Sequence, residues 1–389
     1  SLMKKYVLFI LVLFLYTGNS IFAQETSTEE TSTEPLNVQE LIEKGIQHHD
    51  AREYEQAIEN YEEALKIDPE SMIATYEMSL SYLALRDYKN ASKYSTKVIE
   101  SKDKDLLINA YGVKSESLAE TGKVDDAIKL LENALLRSGN DYYLHFNLAL
   151  NYFKKGDLDK TIHHVDNALN LNKSQSGAYL LSAYALNDKQ IWVRSILSFQ
   201  IFLLMEPDSH RSKNAFEEML QVMQVTEPAE KPVERSFIQR QLQRQTNQND
   251  SSALEKTIPP LNMIHGIDRE LVYNAIEDTK DSLDVLFSDT IYTNALQRDS
   301  LETEEYIKFK EVTRTIFTVL SNENDGSKTG SIWGFHVPII TKILESEYFD
   351  TYCRYISVAY FPESLKWWEN NQESAAKFVR WFEKGDESE

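Results

Sequence analysis

The sequence predicts an all-α protein: a solenoid of about five helix pairs, a terminal capping helix, and then a smaller all-helical region. Three observations carry that prediction. Small and bulky side chains recur at a spacing near 34 residues between about positions 38 and 224. Beyond Leu261 the apolar residues again fall at helical spacing. At 389 residues, 42% of them apolar, the chain can bury a sizeable core, and at roughly 100 to 200 residues per domain its length suits two folded units.

In chain order, Lys4 and Lys5 follow Met3, and an apolar and aromatic run from Tyr6 to Tyr16 leads to Ala23 before Gln24. A charged start, an apolar stretch and a small residue at the junction read as a secretory signal over residues 1–23, with Ser1 and Leu2 left out of the fold reading. The apolar run has eleven residues, too few to cross roughly 30 Å of hydrocarbon as a helix. No cysteine follows it, since Cys353 is the only one. The expectation is a periplasmic or extracellular bacterial protein with no membrane span after cleavage. Residues 24–37 repeat an acidic phrase, Thr26-Ser27-Thr28-Glu29 and Thr31-Ser32-Thr33-Glu34, and read as a spacer with nothing to bury.

Helical periodicity starts near Val38. A small residue recurs at Ala57, Ala91, Ala127, Thr161 and Ser195, at intervals of 34, 36, 34 and 34. A second such slot holds Ala64, Val98, Ala134, Ala168 and Phe202, and a third, on the preceding helix, holds Gly45, Ser79, Ser115, Ala149 and Ala183. A bulky slot holds Tyr54, Tyr88, Val124, Leu158 and Trp192. Small residues let paired helices approach while bulky ones fill the space between pairs. The interval of 36 places a two-residue displacement near Asp103 to Asp105. Residues 209–224 read as the capping helix, with Phe216, Met219, Leu220 and Met223 on one face.

This pattern, with Gly45, Ala57, Tyr61, Ala64 and Pro69 in the first copy, resembles the tetratricopeptide repeat over residues 38–224. The slot that usually carries Trp holds Leu41, Thr75, Tyr111, His145 and Tyr179 instead. The resemblance implies a polypeptide-binding scaffold whose first helices line a concave surface. On that geometry the surface is lined by Ile42, Tyr76, Leu80, Leu83, Tyr143, Phe146, Leu150, Phe153, Leu180 and Tyr184. An aromatic and apolar lining suits an amphipathic helix or an extended apolar peptide. It lacks the Lys, Arg and Asn with which some relatives grip a terminal carboxylate. The competing expectation is that these side chains pack on a neighbouring helix or are covered by the C-terminal half of the chain.

Residues 225–260 change character: Pro228, Pro232, Pro259 and Pro260 flank a polar run, and five acids balance five bases. They read as a linker. Residues 261–389 carry 24 acids against 13 bases and read as a small helical domain of no named family. Thirteen of the fifty residues from Trp333 to Phe382 are aromatic. Most are expected in a compact core, and Trp333, Trp367 and Trp368 are candidates for a second binding surface.

Chemistry is not expected. The chain lacks phosphate-loop, nucleophile-elbow, zinc-protease and dinucleotide motifs, and no catalytic residue, metal ligand or cofactor is assigned. His48-His49 and His163-His164 are adjacent pairs, whose rings diverge on a helix, and read as solvated. His336 reads as a satisfied core group. With 62 acids against 41 bases the formal charge is −21, which opposes nucleic acid or anionic lipid. The leading expectation is an exported scaffold for a protein or peptide partner in a cell-envelope assembly. An alternative is a hydrolase or glycan-active region at 261–389, localised by the repeats; a third is a purely architectural spacer.

Overall fold

A computed structural model describes residues 37–226, 267, 269–289 and 302–384. Among them are seventeen α-helices, one π-helical turn and no strand. The expected signal and spacer, and most of the linker, lie outside the described residues. The described residues divide into two compact units, residues 37–173 and the described residues from 174 to 384. The division falls between Lys173 and Ser174, inside the segment expected as one solenoid over 38–224.

The first unit contains four helix pairs: α1 Val38–Asp50 and α2 Tyr54–Ile67, α3 Met72–Ala84 and α4 Tyr88–Ser101, α5 Leu107–Glu120 and α6 Val124–Ser138, α7 Tyr142–Lys155 and α8 Leu158–Leu171. Their starts follow from local chemistry. Asn37 and Glu40 form a capping box at α1, while Ser71, Asp87, Asp141 and Asp157 each accept from an unpaired first-turn N–H of α3, α4, α7 and α8. Every turn between the helices of a pair closes on a left-handed residue: Arg52, Arg86, Gly122 and Gly156, then Gln190 in the second unit. This backbone feature has the same 34- and 36-residue spacing as the side-chain pattern. The two extra residues sit in the turn after α4, where Asp103 accepts from the N–H groups of Asp105 and Leu106.

The repeat slots are closed off from water. Gly45, Ser79, Ser115 and Ala149 are buried, as are Ala57, Ala91, Ala127 and Thr161. Gly45 faces Tyr61 so closely that an added Cβ would overlap the ring, so glycine is required by the approach of α1 to α2. Each helix packs on its neighbours, and α1 also touches α3, α3 touches α5, and α5 touches α7. No comparable contacts join α2, α4, α6 and α8 to one another. The odd-numbered helices are therefore the tighter inner layer, and the surface they present is concave.

The second unit begins with a fifth pair, α9 Ser176–Asp188 and α10 Trp192–Met205, followed by α11 Ser212–Val222, α12 Arg269–Ser288 and α13 Glu304–Glu323. A π-helical turn, Ile332–His336, then leads into α14 Val337–Glu345, α15 Phe349–Ile356, α16 Pro362–Asn370 and α17 Gln372–Lys384. Pro362 opens α16 at a position where its missing N–H costs nothing. The apolar residues from Leu271 to Phe287 lie on the single helix α12.

In α10 every residue from Val193 to Leu204 is buried, the signature of a helix surrounded on all sides. Tyr179 on α9 stacks on Phe335, Trp192 meets Tyr273 on α12, and Phe216 on α11 lies 5.0 Å from Phe309 and 5.6 Å from Phe361. Phe216, Met219, Leu220 and Met223 do lie on one buried face, as the sequence suggests. That face is covered by the C-terminal helices, so α11 joins the fifth pair to them in one core.

Candidate functional site

The inner layer of the first unit holds part of the expected groove. Tyr76, Leu80 and Leu83 on α3 and Phe146 and Leu150 on α7 are half-buried, and Tyr143 is 50% exposed. The Tyr76 phenol is pushed up to about 12 by burial, then by Glu77 and Tyr143. Tyr142 supports this patch from behind, edge-on to Tyr143 and stacked 5.8 Å from Phe146.

Four residues expected in the groove are core. Ile42 and Phe153 are buried in the first unit. Leu180 and Tyr184 are buried in the second, where Tyr184 sits edge-on against Phe199 with only 1% of its surface reachable. The fifth pair packs within an apolar core on every side, so its first helix has no open face. Trp333 is likewise buried, under the Lys328 ammonium at 4.3 Å, and does not form a second surface. Trp367 and Trp368 are both half-buried, the latter packed on Tyr355 at 5.1 Å.

Sequence reasoning missed the groove positions of the third repeat. Tyr76 and Phe146 are equivalent through Gly112, and Leu80 and Leu150 through Glu116, at the same intervals of 36 and 34. Gly112 leaves the floor low between the rings, with Asn147 across from it. Glu116 reaches solvent yet is crowded by protein, as a side chain on a concave floor must be, and the lost hydration raises its carboxyl above the usual range. Glu77, half-buried beside Tyr76, is raised for the same reason and then by Asp50. Lys154 is committed to Glu120 at 3.0 Å. Among the described residues neither Glu77 nor Glu116 has a cation at ion-pair distance.

The histidines pair differently from the expectation. His163 is exposed, but His164 stacks on Tyr152 at 5.5 Å and shares a hydrogen bond of 2.9 Å with His145, nineteen residues earlier. Burial and the neighbouring rings lower His164 to about 4, and burial lowers His145 too. His145 fills the slot where the repeat usually carries Trp, so the pair is made by the fold. His49 Nδ1 meets Ser81 at 2.8 Å and His48 Nδ1 meets Glu53 at 2.6 Å. Among the described residues no group of three His, Cys, Asp or Glu could hold a metal. Cys353 is fully buried, and burial pushes its thiol far up, leaving no reactive thiolate.

The second unit carries an open cleft of roughly 530 Å³ lined by Lys213, Glu217, Glu305, Tyr360, Phe361 and Glu363. Two of its carboxylates already serve the fold. Tyr360 Oη donates to Glu305 at 3.0 Å, and the Thr303 amide and hydroxyl both donate to Glu363 beside the start of α13.

A family model described as tetratricopeptide repeat matches residues 43–95 and 114–169, within the four helix pairs of the first unit. A TPR repeat-containing protein of Methanocaldococcus jannaschii is 27% identical over 159 residues, 39% of this chain; the chain spans 28% of that relative's length. Among solved structures, a thermophilic TPR protein of Thermus thermophilus is 19% identical, with a TM-score of 0.42, over 48% of this chain and 99% of that one. PilF of Pseudomonas aeruginosa is also 19% identical, with a TM-score of 0.41, over 48% of this chain and 84% of its own. No helix among the described residues is long and apolar enough to cross a membrane.

Proposed function

Taking the chain as a tetratricopeptide-repeat protein, we propose that it is an exported scaffold that holds a polypeptide partner on the inner surface of residues 38–155, in a cell-envelope assembly. The observation that carries this reading is the periodic set Tyr76, Leu80, Tyr143, Phe146 and Leu150, left half-open on the inner layer while the equivalent residues of the fifth pair are sealed. Aromatic rings held by a rigid scaffold offer contact area at little entropic cost. Export rests on the reading of residues 1–23 and is tested by fractionating the producing cell and sequencing the mature N-terminus, expected at Gln24.

Binding is tested by comparing partner capture by the full chain with capture by Tyr76→Ala/Tyr143→Ala and by Tyr184→Ala. The first variant should lose the partner and keep a cooperative melt. Tyr184→Ala should lower the melt instead, by about 3 kcal/mol or more for a buried aromatic. Unchanged capture by the first variant would remove the inner surface from the function.

A second reading follows from the cleft of the second unit, where carboxylates meet aromatic rings, an arrangement that suits a glycan-active or hydrolytic region. Its test is turnover of envelope glycan by the full chain, which should vanish in Glu217→Gln. No turnover would leave this unit a structural or contact module.

A further inference from the structure

We propose that the inner surface of the first unit recognises a polypeptide segment in which a lysine or arginine is flanked by apolar or aromatic side chains. The proposal rests on the groove reading above and names the chemistry of its occupant.

Tyr76 and Phe146 occupy equivalent slots on either side of Gly112, which puts no side chain between them and leaves a notch in the middle repeat, with Tyr143 exposed one turn from Phe146. Beside that notch stand Glu77 on α3 and Glu116 on α5, with Asp50 at the end of α1. Lys154, which acts on Glu116, is nearly sealed from water and paired with Glu120 at 3.0 Å. The surface therefore presents apolar rings and carboxylates whose neighbouring cation, Lys154, is already paired, in a chain whose formal charge is −21.

Complementarity then selects the occupant. An acidic or phosphorylated segment would meet repulsion from Glu77, Glu116 and Asp50. A purely apolar segment would cover the rings and strip more water from two carboxylates already short of it, with nothing to compensate. An ammonium or guanidinium placed over a tyrosine face gains a cation–π contact and an ion pair from the same position. Its apolar neighbours then lie on Leu80, Phe146 and Leu150.

The electrostatics agree. Acting on Glu77 are Asp50, Tyr61 and Tyr76; acting on Glu116 are Lys154, Glu120 and Tyr88. Both carboxyls hold their proton more tightly than in water, and a bound cation favours the ionised form, so binding should strengthen as pH rises through their titration range.

The test is selection of peptides from a random phage-displayed library on the full chain, then affinity measurement with the best peptide made synthetically. The expected result is enrichment of Lys or Arg next to Leu, Ile, Phe or Tyr. Affinity should fall roughly tenfold in Glu77→Gln/Glu116→Gln, and again on raising salt from about 50 mM to about 500 mM. The glutamine variant is isosteric, and an unchanged thermal melt confirms that it is folded; Tyr143→Ala, at an exposed position, is the second variant. Neutral or acidic peptides that bind the glutamine variant equally well but fail on Tyr143→Ala would overturn the cationic inference and leave the groove reading standing. Peptides indifferent to Tyr143→Ala, or no enrichment at all, would overturn both.

Discussion

At the scale of single residues, two buried polar features set measurable properties. Gln200, in the middle of α10, is buried with both its amide oxygen and its nitrogen unpartnered among the described residues. Leaving such groups dry costs about 1 to 3 kcal/mol. Gln200→Met keeps the volume and removes the polar atoms, and denaturant unfolding should show a gain of about 1 to 2 kcal/mol. The His145–His164 contact acts through pH. His164 titrates near 4 in the fold against an ordinary value of about 6.5, so between those values the unfolded chain binds more protons. The contribution is complete above about pH 6.5 and is lost as pH falls toward 4, by about 3 kcal/mol. Glu77 and Glu116, raised in the fold, act in the opposite sense, favouring the folded state at low pH. His164→Gln should therefore flatten the acid side of a melting-temperature profile.

At the scale of elements, the turns inside the helix pairs show how far the repeat has drifted. Each requires one left-handed residue, and that position holds Gly122 and Gly156 but Arg52, Arg86 and Gln190. A side chain in that region costs about 1 kcal/mol or more. Nothing lies within contact of a Cβ added at Gly156, so Gly156→Ala isolates the backbone term and should destabilise by about 1 kcal/mol. Arg86→Gly should do the reverse by a smaller amount, since glycine also gains freedom in the unfolded chain. Both follow from urea melts of the full chain. The periodicity of α1 to α8 was legible in the sequence because it is local: small slots, caps and turns sit at fixed offsets. His145 beside His164 and the crowding of Glu116 were not, because each needs separate helices brought together before it exists.

At the scale of whole units, the boundary of the C-terminal region is a matter of packing rather than composition. The change at Val225 suggests that residues 261–389 stand alone. Phe216, however, meets Phe309 and Phe361, Trp192 meets Tyr273, and Tyr179 meets Phe335 and His336. Arg354, nearly buried, is held by Glu302 at 2.8 Å and lies over the ring of Tyr306, which itself packs on Phe309. A fragment of residues 174–389 should unfold in one cooperative transition with near-ultraviolet circular dichroism from its aromatic core. A fragment of residues 225–389 should lose both features, because it exposes Tyr273, Phe309, Phe335 and Phe361, which α9 to α11 cover.

By itself the sequence determined that residues 38–205 are built of paired helices, since a 34-residue period of small against bulky residues has few other physical solutions. It also determined the helix starts, through Asn37, Ser71, Asp87, Asp141 and Asp157, because capping is settled within a few residues. Only the tertiary structure decided which first-helix residues stay open. Leu150 and Tyr184 occupy the same inner-helix slot one repeat apart and look equally suited to a groove, yet one is half-buried and the other sealed. The difference arises from what packs on their helices: the fifth pair shares a core with helices from the far end of the chain, and no periodic pattern within the repeats encodes that contact.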